Sequence, residues 1–340
     1  MKTQIVYVLI SSEKNLFLEE MWVSLYSLRH FHPEVKVTVF VDKPTENRVR
    51  QRKELCEMIT NLIAVDFPDE YSDRLRSRSL KTSLRELIEG DYLLIDTDTV
   101  ITKPLDDIDT IAINNIAMVP ELHGPFQKHI TYKFICEDIR QIFNADVSDA
   151  PYWFNSGCCL VRDTDLSHEF YKKWHKNWEH SALVKGQSSD QRSLLYTDSQ
   201  YGYIIECLPN EFNCQLAMSM QYFYDAKILH FWHMRDVTFS HSSDYSPFCD
   251  KTIYKRIQKR LTIDPKTADI ILNCKSSFRT PSMIVGSSEM EFLFSSLYTV
   301  LGHAYMERKR MRWFLDKLVT FINLYYRIKK RLGLKGIRSK

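Results

Sequence analysis

The chain has 340 residues, of which 44% are hydrophobic and 13% aromatic, and its net charge is +3. This composition is typical of a folded protein of enzyme size and excludes an intrinsically disordered chain. Because no run of about 18 apolar residues occurs, the sequence predicts no helix that crosses a bilayer.

The charge is distributed unevenly along the chain. Residues 308–340 contain twelve Lys or Arg and a single acid, Asp316, so the remainder is net acidic. A basic segment suits an anionic surface, and an acidic body suits a substrate phosphate held through a cation.

The eight Cys form no Cys-x-x-Cys pair. Since no signal peptide is recognisable, we expect reduced thiols in a cytoplasmic protein.

The first part of the chain alternates short apolar runs with segments of helical spacing. We predict strands at 4–10, 35–41 and 62–65, and helices at 16–30 and 45–58. This β-α-β-α-β order predicts a parallel sheet with right-handed crossovers.

A basic helix is predicted next, at residues 74–88. Arg78 and Lys81 are three residues apart and therefore share a face of this helix. A basic cluster is more often a solvated helix face. Because this helix precedes an acidic strand end directly, a phosphate contact by Arg78 or Lys81 is an equally good interpretation.

The apolar run Tyr92-Leu93-Leu94-Ile95 ends in Asp96-Thr97-Asp98. Residues i and i+2 of an extended segment point the same way, so both carboxylates can bind one Mg2+ or Mn2+ ion. Such an ion would lie at the carboxyl edge of the sheet, where α/β sheets bind ligands. The same spacing recurs at positions 107/109 and 163/165, but neither pair follows a comparable apolar run.

The middle of the chain supplies further polar candidates. After a strand at 116–120 and a helix at 130–143, Asn155-Ser156-Gly157 predicts a small turn that a ligand could approach closely. The helix at 167–179 carries three aromatics at core spacing, Phe170, Trp174 and Trp178.

Two short segments remain before the basic end of the chain. Asp190 and Gln191 open a helix, where an Asp can also serve only as a cap. His230 lies on a strand at 227–231, with His233 close behind. A lone His on an apolar strand is more often structural than a metal ligand.

In this order, the segments resemble nucleotide-sugar glycosyltransferases of the GT-A fold. They are most similar to glycosyltransferase family 8, the group that includes glycogenin and bacterial lipooligosaccharide galactosyltransferases. The matching segments are Ile5 to Ser11, Arg78-x-x-Lys81, Leu94-Ile95-Asp96-Thr97-Asp98, Phe154-Asn155-Ser156-Gly157, Asp190-Gln191, Leu208-Pro209-x-x-Phe212-Asn213 and Ile228-Leu229-His230-Phe231. Each is weak alone, but their order and separations are those of the family.

The resemblance implies a fold and a set of roles. The fold is α/β, a Rossmann-like mixed sheet with helices on both faces. The implied metal ligands of Mn2+ (or Mg2+) are Asp96, Asp98 and His230, and the ion would bridge the diphosphate of a UDP-sugar. The implied donor contacts are Ser11, near the nucleoside, and Arg78 and Lys81, at the phosphate or sugar. The implied catalytic residues are Asn155 and Asp190, which would line the donor sugar, and Gln191, near the reacting face. If the enzyme inverts configuration, Asp190 is the candidate base.

One segment departs from the family pattern. The family usually follows its metal His with Gly-x-x-Lys-Pro-Trp, whereas this chain reads His230-Phe231-Trp232-His233-Met234-Arg235. His233 is therefore an alternative metal ligand, and Arg235 can replace the phosphate-binding Lys. The retaining stereochemistry of the family is open for the same reason.

Beyond His233 the resemblance fades, and helices are predicted at 265–273, 289–301 and 304–330. We expect a transferase domain over residues 1–262 and a C-terminal helical region over 263–340. The last helix has a broad apolar face between basic ends, which fits a helix lying on anionic lipid. The alternative is that this face packs on the catalytic domain.

The leading hypothesis is a UDP-sugar-dependent hexosyltransferase of cell-surface polysaccharide or lipopolysaccharide biosynthesis. Its partners would be a saccharide or lipid-linked saccharide acceptor and, through residues 308–340, the inner face of the membrane. Two alternatives remain, a non-catalytic nucleotide- or glycan-binding protein and a sugar-1-phosphate nucleotidyltransferase. The latter usually needs a Gly-rich loop, and residues 11–17 contain no Gly. No nucleic-acid partner is expected, because the aromatics near the C-terminus lie at core spacing.

Overall fold

The computed structural model describes residues 1–216, 221–231, 247–248, 251–277 and 295–331. The chain divides into two compact units, Met1–Thr280 and Pro281–Lys340. The domain boundary expected between residues 262 and 263 stays a prediction.

A seven-stranded sheet forms the centre of the first unit. Its strands are β1 (Gln4–Leu9), β2 (Val37–Val41), β3 (Asn61–Ala64), β4 (Tyr92–Ile95), β6 (Ile116–Pro120), β7 (Phe154–Val161) and β8 (Glu206–Cys207), in the spatial order β3-β2-β1-β4-β7-β6-β8. Of these, β7 alone is antiparallel to its neighbours. The predicted mixed α/β sheet is therefore confirmed.

Helices cover both faces of this sheet because successive strand residues point to opposite sides. Along β1, Ile5 and Tyr7 join one buried cluster and Val6 joins another. The helices of the first unit are α1 (Phe17–Phe31), α2 (Lys43–Arg50), α3 (Lys53–Glu57), α4 (Asp73–Leu87), α5 (Tyr132–Phe143), α6 (Asp165–Glu179), α7 (Asp190–Gln200), α8 (Thr252–Arg260) and α9 (Pro265–Leu272). Side chains of α1, α8 and α9 belong to the first cluster, and those of α4, α6 and α7 to the second.

Three local predictions can be compared with these elements. The aromatics of α6 are fully buried, as predicted, and they are Phe170, Trp174 and Trp178. The single helix predicted at 45–58 is wrong, because α2 and α3 are separate helices. The turn predicted at Asn155-Ser156-Gly157 is also wrong, because these residues lie within β7.

The small residues of β7 form an irregularity in the ladder instead of a turn. Met118 of β6 pairs with Cys159, but the next residue, Val119, pairs with Asn155. Three residues of β7, Ser156 to Cys158, therefore lie between two pairs that are formed by consecutive residues of β6. This bulge pushes Gly157 toward the end of β4, and the backbone N–H of Asp96 donates to the Gly157 carbonyl at 2.8 Å.

A second, three-stranded sheet carries the last strand beside the acidic turn. It consists of β5 (Thr99–Ile101), β10 (Ile228–His230) and β9 (Cys214–Gln215), with β10 in the middle. β5 follows β4 after the three residues Asp96–Asp98, and β10 pairs with it antiparallel so that His230 lies opposite Thr99. The pairing brings His230 to the acidic turn from 130 residues further along the chain.

In the second unit, the described residues form two consecutive helices, α10 (Ser296–Glu307) and α11 (Lys309–Arg331). The Tyr305 hydroxyl donates to Asp316 at 2.9 Å, which ties the two helices together. The predicted C-terminal helical extension is confirmed, although the break falls at Arg308 and not near residue 302. Within the described part of the chain, no helix combines the length and the apolar character needed to cross a bilayer.

Candidate metal centre and adjoining cavities

The acidic turn between β4 and β5 brings two carboxylates to the carboxyl edge of the sheet. β4 is wholly buried, so the chain delivers Asp96 and Asp98 at the point where the core ends. Thr99 Oγ1 donates to the Asp96 carbonyl at 2.9 Å and holds the turn closed. The Asp98 side chain is 4% exposed and that of Asp96 is 30% exposed, so Asp96 faces the more open side.

His230 completes a group of three ligand atoms that all lie within 4.8 Å of one another. Its Nε2 is 3.2 Å from Asp98 Oδ1 and 4.0 Å from Asp96 Oδ2. Its Nδ1 is 2.9 Å from Asn213 Oδ1. Because Asn213 donates its amide to Asn155 Oδ1 at 2.9 Å, the Asn213 oxygen is the atom that faces the ring, and Nδ1 must donate.

This hydrogen bond decides what the other ring nitrogen can do. With Nδ1–H directed at Asn213, the neutral ring points the lone pair of Nε2 at the two carboxylates. Two acceptors 3.2 Å apart repel each other unless a proton or a cation lies between them. Two carboxylates and an imidazole suit Mn2+ or Mg2+. The group therefore fits the predicted ion.

Gly157 explains why the three ligands can come so close to β7. A Cβ at this position would overlap Cε1 of His230 and lie 2.8 Å from Oδ2 of Asp96. Real Cβ contacts are not that short, so only a residue without a side chain fits between the ligands.

The two predicted donor contacts on α4, Arg78 and Lys81, are paired with acidic residues. Lys81 is 2% exposed, and its Nζ donates to Asp96 Oδ1 at 2.8 Å. Arg78 Nε lies 3.1 Å from Asp190 Oδ1. Both cations line the same cavity as the acidic turn, and their predicted contacts with phosphate or sugar stay predictions.

Asp190 begins α7, but its carboxylate is directed into the site. It accepts a hydrogen bond from Ser156 Oγ at 2.7 Å and forms an ion pair with Arg78, while Trp174 Nε1 donates to its carbonyl at 3.1 Å. Burial alone would raise the pKa of Asp190, but the charges of Arg78 and Lys81 and the Ser156 hydrogen bond hold that pKa below its ordinary value. Asp190 is thus an ionised, paired group and a weak base.

Glu121 is a site residue that sequence reasoning missed. The Gln191 amide donates to Glu121 Oε2 at 2.6 Å and to the Phe154 carbonyl at 3.0 Å. His129 Nε2 lies 3.4 Å from Glu121 Oε1. Glu121 directly follows the buried strand β6, as Asp96 follows β4, and this repeated signal could have identified it.

The site residues enclose two adjoining cavities. The smaller has a volume of about 250 Å³ and is lined by Arg78, Lys81, Asp96, Asp98, Glu121, Asn155, Ser156, Gly157, Asp190, Gln191 and His230. The larger has a volume of about 660 Å³ and is lined by Val8, Leu9, Ile10, Ser12, Lys14, Asn15, Phe17, Asp73, Arg74, Ser77, Arg78, Asp96 and Thr97. Arg78 and Asp96 belong to both cavities, so the acidic turn lies where they meet.

Of the remaining predicted residues, one lines neither cavity and two lie outside the described residues. Ser11 is buried and bonded to Asn15 and Arg48, although its neighbours Ile10 and Ser12 line the larger cavity. Its predicted place near the nucleoside stays a prediction. His233 and Arg235 lie outside the described residues.

Neither a protein-family model nor a curated protein sequence matches the chain. Solved structures of several glycosyltransferases do. Mouse xyloside xylosyltransferase 1 matches over 68% of this chain and 97% of its own, at 12% identity and a TM-score of 0.47. The glycosyltransferase GlyE of Streptococcus pneumoniae matches over 84% and 67%, at 16% identity and a TM-score of 0.46. The galactosyltransferase LgtC matches over 82% and 98%, at 15% identity and a TM-score of 0.48.

Proposed function

We propose that this protein is a metal-dependent glycosyltransferase that moves a hexose from a UDP-sugar to a glycan or lipid-linked saccharide. The observation that carries the proposal is the ligand group Asp96, Asp98 and His230, placed where two cavities meet. The ordered motifs that resemble glycosyltransferase family 8 support the same function. The pathway we infer is cell-surface polysaccharide or lipopolysaccharide biosynthesis.

The two cavities suggest how a donor would be bound. The larger, between the end of β1 and α4, has room for a nucleoside, and the smaller has room for a hexose. The diphosphate would then lie at the shared wall, next to Arg78 and Asp96. When bound, an Mn2+ or Mg2+ ion would neutralise the charge that develops on the leaving diphosphate. Asp96, Asp98 and His230 would hold it.

The polar residues of the smaller cavity would orient the sugar. Asn155 and Gln191 are both fixed by hydrogen bonds, and Asp190 is fixed by Arg78 and Ser156. Because its pKa is lowered, Asp190 is a poor general base. We propose a retaining reaction, in which an oxygen of the leaving diphosphate takes the proton of the acceptor and no carboxylate base is needed.

We further propose that residues 308–340 hold the enzyme on the inner, anionic face of a membrane, beside a lipid-linked acceptor. α11 supports this proposal because its large apolar side chains are exposed, with Trp313 at 64% and Phe321 at 68%. Residues 332–340, which carry three of the twelve basic residues, lie outside the described part of the chain.

The test of the catalytic proposal is release of UDP from a panel of UDP-hexoses, with and without Mn2+. Wild-type protein should release UDP from at least one donor only when the metal is present, and Asp98→Ala should abolish this activity. Asp165→Ala is the matched control, because Asp165 belongs to another Asp-x-Asp pair and is exposed at the start of α6. Turnover without metal, or an active Asp98→Ala variant, would reject the mechanism.

A further inference from the structure

Glu121 lies on a strained turn at the wall of the smaller cavity. The two residues after it, Leu122 and His123, both have left-handed backbone angles, with φ of 59° and 55°. This conformation is unfavourable for residues other than glycine, and it persists only where the surroundings enforce it. Here Gln215 Oε1 accepts from the Leu122 N–H at 3.0 Å, and the Asn213 carbonyl lies 2.9 Å from His123 Nε2.

The carboxylate of Glu121 accepts one hydrogen bond and lies beside a buried histidine. Gln191 donates to Oε2 at 2.6 Å, and its own orientation is fixed by the Phe154 carbonyl. His129 is buried, and its Nδ1 accepts from the Thr131 N–H at 3.2 Å, which places the ring proton on Nε2, 3.4 Å from Glu121 Oε1. The Glu121 side chain is 12% exposed and lines the cavity, so it has acceptor positions left for a ligand.

The charges of this wall restrict what can bind against it. Its described residues include four carboxylates, of Asp96, Asp98, Glu121 and Asp190, and two cations, Arg78 and Lys81. Each cation already has a carboxylate partner, at 3.1 Å for Arg78 and 2.8 Å for Lys81. The charge of a divalent ion would be matched by the diphosphate of the donor. A carboxylate on the sugar would therefore add a negative charge to this wall. Among the described residues of the wall, both cations already pair with a carboxylate, so neither is available to neutralise that charge.

We propose that Glu121 is a specificity-determining residue that accepts a hydrogen bond from a hydroxyl of an uncharged donor sugar and excludes sugars that carry a carboxylate. His129 is its positioning residue, since it touches Glu121 and not the cavity. This inference rests on the proposed function and narrows the donor class to UDP-sugars without a uronic acid group.

The experiment compares donors that differ only at C6. Dissociation constants are measured by calorimetry, with Mn2+ present, for UDP, for UDP-glucose against UDP-glucuronate, and for UDP-galactose against UDP-galacturonate. Wild-type protein should bind the better of the two hexose donors at least about tenfold more tightly than its uronate counterpart, because the donor carboxylate would lie among four carboxylates of the cavity wall and like charges repel. Glu121→Gln keeps the shape and an acceptor oxygen but removes the charge, so this ratio should fall to within about threefold.

A second variant separates position from charge. His129→Phe keeps an aromatic ring beside Trp153 but removes the Nε2 proton that faces Glu121. We expect weaker binding of the hexose donor together with continued rejection of the uronate, because the charge remains while its orientation is lost. A purely structural role would instead lower the melting temperature and leave the donor affinity of the folded protein unchanged.

The possible failures are distinguishable. Equal binding of hexose and uronate donors by the wild type, or an unchanged ratio in Glu121→Gln, would overturn the role of Glu121. If the protein does not bind UDP at all in the presence of Mn2+, the proposed function itself fails, and the narrower inference with it. Binding of UDP by each variant shows that the variant is folded.

Discussion

At Gly157, the absence of a side chain is what allows the three candidate metal ligands to lie so close to β7. We expect Gly157→Ala to weaken Mn2+ binding by at least about tenfold, because the new Cβ would overlap His230 and crowd Asp96, and both belong to the candidate ligand group. Overpacking at such a site should also lower the free energy of unfolding by about 1–3 kcal/mol. Electron paramagnetic resonance of free Mn2+ measures the first effect, and urea denaturation measures the second.

Gly124→Ala is the matched control for this substitution. The nearest atom to a Cβ at Gly124 would be the Leu122 carbonyl oxygen, at 3.8 Å, which is ordinary van der Waals contact. Its φ of −147° is extended backbone that alanine adopts readily. Mn2+ affinity should be unchanged in this variant. An unaltered Mn2+ affinity in Gly157→Ala would mean that the three ligands do not bind the ion together.

At the scale of elements, the sequence predicts long apolar strands better than it predicts irregular ones. β1, β2, β4 and β6 are runs of β-branched and other apolar residues, and each was predicted to within a few residues. β7 was predicted only in part, because small residues that suggest a turn also suit a bulge. β8 and β9 have two residues each, too few to give any periodic signal.

The residues of the candidate site differ in the same way, because some follow from local sequence and others depend on tertiary contacts. Asp96 and Asp98 could be named in advance because they directly follow a buried apolar run, and His230 because its segment resembles one of a known family. Glu121 follows an apolar strand as Asp96 does, but its place in the cavity depends on β6 pairing with β7 beside β4, an order that no local pattern encodes. The role of Asn213 likewise depends on tertiary contacts, with His230 on one side and Asn155 on the other.

Helix α7 contains two buried aspartates whose surroundings shift the pKa of the carboxyl group in opposite directions. Asp190 faces Arg78 and Ser156, which keep its pKa low. Asp198, two turns later, has no such cation to lower its pKa, and burial raises that pKa to about 7. The backbone N–H of Ile205 donates to it at 3.1 Å, which offsets burial only in part.

Asp198 should therefore make folding stability depend on pH. Its pKa in the unfolded chain is about 3.9, so between about pH 4 and pH 7 the unfolded state loses a proton that the folded state keeps. The stability contribution is complete below this window and is lost as the pH rises through about 7. Asp198→Asn retains the oxygen that accepts from Ile205 but cannot titrate. Urea denaturation at pH 5, 6 and 8 should show a smaller decline for the variant than for the wild type. Parallel curves would contradict this account of Asp198.

At the scale of the whole molecule, charge and exposed apolar surface concentrate in one region of the sequence. Residues 308–340 hold twelve basic residues, and α11 within them exposes large side chains that include Trp313, Phe314 and Phe321. Apolar insertion and attraction to anionic lipid reinforce each other, and the second of these is screened by salt. The preceding residues are net acidic and contribute no such attraction.

Truncation after Arg308 should therefore abolish binding to vesicles that contain phosphatidylglycerol while sparing metal-dependent release of UDP from the donor. Co-sedimentation with vesicles measures the first outcome, and the donor panel measures the second. Binding of the full chain should also weaken as salt is raised, and should be slight on pure phosphatidylcholine, because each basic residue near an anionic surface contributes about 1 kcal/mol. If the truncated protein sediments with anionic vesicles as the full chain does, the membrane contact lies elsewhere, and the exposed side chains of α11 serve another purpose.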